Sequence, residues 1–340
     1  MTRFNELRMN VQSLVGTRVE LRLNDPAEST IGRKLSATLR ADQAGRVLTE
    51  EKRFAQVALP VLSLEEGDAA AQPVGTAVEE LGRATAEAWG GPAAPPIRLL
   101  PVDLAPEELP DPLEEPDAVP LGLRQDTMGV ELLDLAGGDQ HLLVFGDTAS
   151  GKTTLLRGVI SGLVDRATPD ELVLAICDVR GGLADSCPEE YLGGLATSAP
   201  LAASLATSIA TELENRTGGA RGTGPRIVVV VDDYDILASG GTDPLGPLRP
   251  HLPAARDLRL NVLLTRPVAG ASRALYDPVL QTLRDTGGTG VLMSGERSEG
   301  QIFPRTYAEA LPPGRAKVLR RGDRTHLAQF ANFPGGPHAT

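Results

Sequence analysis

Gly146, Asp147, Thr148, Ala149, Ser150, Gly151, Lys152 and Thr153 stand in the order G-x-x-x-x-G-K-[ST], the spacing of a phosphate-binding loop, or P-loop. The residue types explain the spacing. Glycines at both ends let backbone amides turn inward towards phosphate oxygens, and the start of a following helix adds positive potential. Lys152 can reach the β- and γ-phosphates of a nucleoside triphosphate, and the Thr153 hydroxyl can ligate Mg²⁺. The expected ligands are therefore ATP and Mg²⁺, with Gly146 to Thr153 and the adjoining Thr154 as the cofactor-binding residues.

A second cluster lies in "RIVVVVDDYDIL", an apolar run that ends in acids. A P-loop ATPase needs a carboxylate at the end of a buried strand beside the P-loop strand to hold Mg²⁺ through water, and Asp232 fits that place. The next position often carries a glutamate that orients the attacking water. Here it is Asp233, one methylene shorter, and a carboxylate displaced by about 1 Å can lose on the order of 10²-fold in rate. The expectation is a site that holds Mg²⁺ and ATP but hydrolyses slowly or not at all. In "LLTRP", Arg266 follows an apolar run and could sense a γ-phosphate at the carboxyl end of its strand, or be an ordinary surface arginine. Asp178 in "ICDVRGG" is open to the same two readings. The histidines His141, His251, His326 and His338 form no metal or triad pattern, and Cys177 and Cys187 lack metal-ligand spacing.

These groups need a scaffold, and the apolar runs supply one. "QHLLVFG", "ELVLAICD", "RIVVVVD", "LNVLLTRP" and "GTGVLMSG" read as buried strands. "KTTLLRGVISGLV" and "LAASLATSIATELENRTGG" read as helices between them. Short apolar runs alternating with helices imply an α/β fold whose parallel sheet is covered on both faces. Upstream the signals are weaker. "FNELRMNVQSLV" has helical spacing, "GTRVELRL" alternates like a strand, "DPAESTIGRKL" reads as a turn into a short helix, and "GRVLTEEKRFAQVALP" holds one or two short strands. "GTAVEELGRATAEAWG" is an amphipathic helix candidate. The proline- and acid-rich stretch up to Pro120 has the composition of an extended linker, within which "IRLLP" is apolar enough for an edge strand. After Leu327 the chain reads as a short frayed tail.

The 340 residues suffice for two domains. A net charge of −12 argues against non-specific DNA binding. No run approaches the roughly 20 apolar residues that span a bilayer.

"HLLVFGDTASGKTTLLRGV", "IVVVVDDYDIL", "ASRALYDPVLQTLR" and "LPPGRAKVLRRGD" together resemble the FtsK/SpoIIIE branch of P-loop ATPases, and within it the EccC-type motor ATPases of type VII secretion. The resemblance covers about residues 120 to 330. It implies a RecA-like core that binds ATP with a degenerate hydrolytic motif, in keeping with Asp233. "LLTRP" stands where DNA-pumping relatives tend to carry a glutamine, which speaks against a DNA translocase. The N-terminal stretch resembles the tail of a preceding ATPase module, since "AGRVL" (44–48) echoes "PGRAKVL" (313–319). The implied organisation is residues 1–62 as that tail, 63–120 as linker, 121–330 as the ATPase domain and 331–340 as a flexible tail, in a chain that is a piece of a longer or split protein. The implied partners are small WXG-type secretion substrates recognised by a C-terminal signal, and other ATPase modules or secretion-machine subunits, with a hexamer in the full assembly. The implied location is the cytoplasmic side of the plasma membrane. Any arginine supplied in trans would come from a neighbour, with Arg273, Arg284, Arg320 and Arg321 as undistinguished candidates.

Overall fold

The computed structural model describes residues 14–58, 74–92, 98–110, 115, 117–218 and 222–333, and the chain divides into two units, Met1–Pro95 and Pro96–Thr340. In the first unit, β1 (Val19–Glu20), β2 (Arg46–Thr49) and β3 (Phe54–Gln56) form an antiparallel sheet in that order. The short helix α1 (Arg33–Ser36) lies between β1 and β2, and α2 (Val74–Ala88) ends the unit. "GTRVELRL" yields only a two-residue strand, and the Glu20 carboxylate at its end accepts from the Thr30 amide at 2.8 Å and the Ser29 hydroxyl at 2.6 Å. The helix expected over 4–15 lies almost wholly outside the described residues.

The second unit is built on a ten-stranded sheet. Its strands are β4 (Val119–Arg124), β5 (Val130–Leu133), β6 (His141–Phe145), β7 (Leu172–Cys177), β8 (Leu192–Ala196), β9 (Arg226–Val231), β10 (Leu260–Arg266), β11 (Gly288–Leu292), β14 (Arg315–Leu319) and β15 (His326–Phe330); β12 (Gln301–Phe303) and β13 (Thr306–Tyr307) make a separate hairpin. The order is β5-β4-β15-β14-β11-β6-β10-β9-β7-β8. From β11 to β8 every neighbour is parallel; from β11 through β14, β15 and β4 to β5 every neighbour is antiparallel.

The parallel half follows from its apolar runs. Side chains alternate across a strand, so Leu142, Val144, Val228, Val230 and Leu263 point to one face and Leu143, Phe145, Val229, Val231 and Leu264 to the other. On the first face sits α3 (Lys152–Val164), burying Leu155, Leu156, Val159, Ile160 and Leu163, a three-and-four spacing that makes one apolar stripe. On the second lie α4 (Ala199–Gly218), α5 (Tyr234–Leu237), α6 (Ala271–Ala274) and α7 (Pro278–Asp285), whose buried side chains include Ala202, Leu213, Tyr234, Ala271 and Leu280.

Two expectations need correction. "IRLLP" forms no strand over its described residues 98–101; the Leu100 and Pro101 carbonyls accept instead from the Arg315 guanidinium, at 3.2 and 2.6 Å, and β5 takes the sheet edge. The chain after Leu327 is not frayed at once, because Ala328–Phe330 complete β15, Phe330 and Ala331 are buried, and the Asn332 amide donates to the Leu104 carbonyl at 2.8 Å.

The echo between "AGRVL" and "PGRAKVL" has a shared backbone form. Gly45 and Gly314 both take positive φ, at +75° and +73°. Each leads into an arginine that opens a strand, and that arginine faces a glutamine across an antiparallel pair: Arg46 faces Gln56, Arg315 faces Gln329. Each glutamine amide donates to the carbonyl just before the glycine, Gln56 to Ala44 at 2.9 Å and Gln329 to Pro313 at 3.1 Å.

Candidate nucleotide site

The loop from Gly146 to Gly151 joins the end of β6 to the start of α3, at the carboxyl edge of the parallel strands. It is fastened on three sides. The Gly146 amide donates to the Arg266 carbonyl, and the Asp147 amide to the Ser294 carbonyl. Asp147 Oδ1 accepts from the amides of Val268 and Ala269, both at 3.1 Å, which ties the loop to the turn after β10. The Ser150 carbonyl accepts from the Gly314 amide at 2.9 Å, and the buried Ser150 hydroxyl donates to Met293 Sδ. Gly151 caps α3 at φ +105°, where a side chain would be strained and its Cβ would lie 3.2 Å from the Gly314 nitrogen.

Among the described residues, the amides of Thr148, Ala149, Gly151 and Lys152 have no acceptor from the chain. Thr148 and Ala149 are exposed, and Thr154 is half-buried in the first turn of α3. Unpaired amides at a helix start favour an anion. Lys152 is only 9% exposed, yet its closest polar contacts are long, 3.4 Å to the Asp147 carbonyl and 3.9 Å to Asp233 Oδ1. A buried ammonium without a tight partner, beside free amides, fits a polyphosphate.

Thr153 and Asp232 come together, but not from neighbouring strands as the sequence leads one to expect: β10 lies between β6 and β9. Thr153 Oγ1 donates to Asp232 Oδ2 at 2.6 Å, and Thr265 Oγ1 donates to Asp232 Oδ1 at 2.5 Å. Burial pushes the Asp232 carboxyl above its ordinary pKa, the two hydroxyls pull it down, and the charges of Asp233 and Asp178 raise it further. A hydroxyl facing a buried carboxylate is a donor set suited to a hard cation such as Mg²⁺.

Asp233 adopts a left-handed backbone, φ 48° and ψ 55°, uncommon for a residue other than glycine. Its amide donates to Thr265 Oγ1 at 3.0 Å, and its carboxylate lies between Lys152 and Arg180, with Arg180 Nε at 2.9 Å from Oδ2. Asp178 organises a loop. Its oxygens accept from the amides of Arg180, Gly181 and Leu183 at 3.1, 2.9 and 2.6 Å.

Arg266 is not past the strand but its last residue, and it is buried. The alternation of β10 turns Thr265 towards the P-loop face with Leu263, and Arg266 to the opposite face with Leu264. There burial lowers the Arg266 pKa, while Asp235, Asp277 and Tyr234 raise it. The Tyr234 hydroxyl donates to Asp277 Oδ2 at 3.2 Å, and Asp277 also caps α7, so "DDYD" and "SRALYDP" meet. Of the arginines considered for a trans role, Arg320 is committed within the chain, to Glu131 at 2.6 Å and Asp139 at 2.7 Å. Sequence reading missed Thr265 and the Gly314 contact; period-two alternation along β10 was the signal for the first, and the second had none.

A β-strand, phosphate loop and helix on a parallel sheet, with a buried acid facing the first helical threonine, define a RecA-like P-loop NTPase. Residues 111–217 match the FtsK/SpoIIIE family. It is similar along nearly all its length to EccC proteins. The ESX secretion system protein EccC of Thermomonospora curvata is 35% identical over 340 residues, 97% of this chain and 26% of that protein. The ESX-4 secretion system protein EccC4 of Mycobacterium tuberculosis is 35% identical over 347 residues, 98% of this chain and 26% of that protein. The chain thus spans about a quarter of the length of these relatives. Among solved structures, ATPases 2 and 3 of T. curvata EccC, in complex with a signal sequence peptide, align with a TM-score of 0.74 at 34% identity, over 98% of this chain and 61% of that one. Among the described residues no helix is long and apolar enough to cross a membrane.

Proposed function

We propose that this chain is an ATP-holding module of a type VII secretion ATPase. The observation that carries the reading is the loop itself: free amides, a buried Lys152 without a tight partner, and Thr153 against Asp232. Gly146 to Thr154 hold the phosphates, Lys152 neutralises the outer ones, and Thr153 and Asp232 hold Mg²⁺. The bound metal supplies charge neutralisation on the phosphates. Turnover is slow or absent, because the Asp233 carboxylate is engaged by two cations and is one methylene short of a glutamate.

The module recognises the C-terminal signal of small WXG-type substrates, a reading supported by the signal peptide in the T. curvata EccC complex. It works beside other ATPase modules, in a hexameric assembly at the cytoplasmic side of the membrane. Residues 1–62 are the tail of a preceding module, 63–120 a linker and 121–330 the ATPase domain; the hairpin form shared by Gly45 and Gly314 supports the first assignment.

Two titrations test the function. Saturating Mg-ATP should raise the melting temperature by an amount that follows RT ln(1 + [L]/Kd). In fluorescence anisotropy, a labelled WXG-type C-terminal tail from the same gene neighbourhood should bind saturably, and a labelled DNA duplex at moderate salt should not. DNA binding without peptide binding would assign the chain to a DNA-translocating function instead.

A further inference from the structure

The loop after β7 reaches the phosphate site, and nothing in the P-loop motif requires it. Three contacts hold it there. Asp178 accepts three of its amides. Arg157, on α3, donates twice to the Gly182 carbonyl, at 2.9 and 2.7 Å. Gly182 packs so close to Thr153 that a Cβ would lie 2.8 Å from Thr153 Cγ2. The loop is thus fixed against the magnesium-side threonine. From it Arg180 extends to Asp233, with its side chain 68% exposed against 17% for Asp233.

Asp233 is therefore shared between two cations of unlike accessibility. Its contact with Arg180 is tight, at 2.9 Å, and its contact with the buried Lys152 is loose, at 3.9 Å. Arg157 is committed to a carbonyl, and Asp178 has its charge spread over three amides. The balance at the phosphate end of the site is then Lys152 and Arg180 against Asp232 and Asp233. An incoming polyphosphate competes with Asp233 for Lys152 and is repelled by whatever carboxylate charge is left uncompensated.

We infer that Arg180 is a positioning residue that sets nucleotide affinity by holding Asp233 away from Lys152, so that the lysine remains available to phosphate. It acts through Asp233 rather than on the nucleotide. This inference rests on the nucleotide-binding reading above and goes beyond it, because it assigns a role to a residue outside the P-loop and the acid pair.

The test is a double-mutant cycle on Mg-ATP affinity, read by titration with a fluorescent ATP analogue on the full chain. Arg180→Ala should weaken binding by about three- to tenfold, as loss of a charge near an interface does, with the effect shrinking as salt rises. Asp233→Asn should tighten binding by a similar factor. The double variant should bind within about twofold of the parent, because the two charges are removed together. Melting temperatures without nucleotide confirm that each variant folds. If the double variant stays as weak as Arg180→Ala, Arg180 touches the nucleotide itself and the inference is overturned. Unchanged affinity in Arg180→Ala overturns it alone, with the nucleotide reading intact. No saturable binding by the parent chain overturns both.

Discussion

The two glycine–arginine hairpins, one in each unit, share backbone form, cross-strand partner and carbonyl-capping glutamine. They differ in what stands next to the glycine. The Gly314 amide donates to Ser150 of the phosphate loop, and the Gly314 carbonyl accepts from Phe330 of β15. The Gly45 carbonyl has the equivalent cross-strand bond, from Val57, but the first unit carries no G-x-x-x-x-G-K-[ST] loop. The same local solution serves as a brace for a ligand site in one unit and as plain sheet structure in the other. Function here lies in what a hairpin braces, not in the hairpin.

The largest expected effect removes what distinguishes the second unit. Lys152→Ala should lower Mg-ATP affinity by at least about 100-fold, through loss of a buried charge-assisted contact, with the fold intact by circular dichroism. A second difference concerns acid. All four histidines lie beyond residue 95. His141, at the start of β6, is buried, with Nδ1 accepting from the Val262 amide, and burial lowers its pKa to about 4. A folded pKa below the unfolded value of about 6.5 means that the stability tied to neutral His141 is complete above that pH. It is lost as pH falls towards about 4, by on the order of 3 kcal/mol. The second unit should therefore lose stability over that window, and His141→Gln should flatten the loss in denaturant melts.

A smaller effect sharpens the hairpin comparison itself. Gly314→Ala and Gly45→Ala each force a side chain into a positive-φ position, at a cost of about 1–2 kcal/mol. Only Gly314→Ala should also weaken Mg-ATP binding, because only Gly314 touches the phosphate loop; isothermal titration of both variants separates the two outcomes. The smallest effect has the opposite sign. Asp232→Asn removes a carboxylate that burial disfavours, so the nucleotide-free chain should melt slightly higher at neutral pH, while losing the Mg²⁺-dependent part of ATP stabilisation.

Much of the parallel half was legible in the sequence, because its strands are unbroken apolar runs. The helix "KTTLLRGVISGLV" matches α3 residue for residue. Asp232 was legible for the same reason, as the first acid after such a run. The antiparallel half was not. β4 contains Pro120 and Gly122, and β5 and β15 carry Glu131 and His326, which read as surface residues. Their burial is made possible by Arg320, which pairs with Glu131 at 2.6 Å across 189 residues of chain, and by the contact of His326 with Glu131 at 2.5 Å. No local pattern reports a partner that distant. Arg180 was hidden for a related reason: its place depends on loop closure, not on its own residue type, whereas the alternation of β10 carries a signal for Thr265.

The phosphate loop and the hairpin that braces it should respond together to nucleotide, while the matching hairpin of the first unit should not. Hydrogen–deuterium exchange with and without Mg-ATP tests it most directly. Protection should rise over 146–154 and at Gly314 and Arg315, with exchange over 44–48 unchanged. No added protection over 146–154, or equal protection of both hairpins, would contradict that joint response.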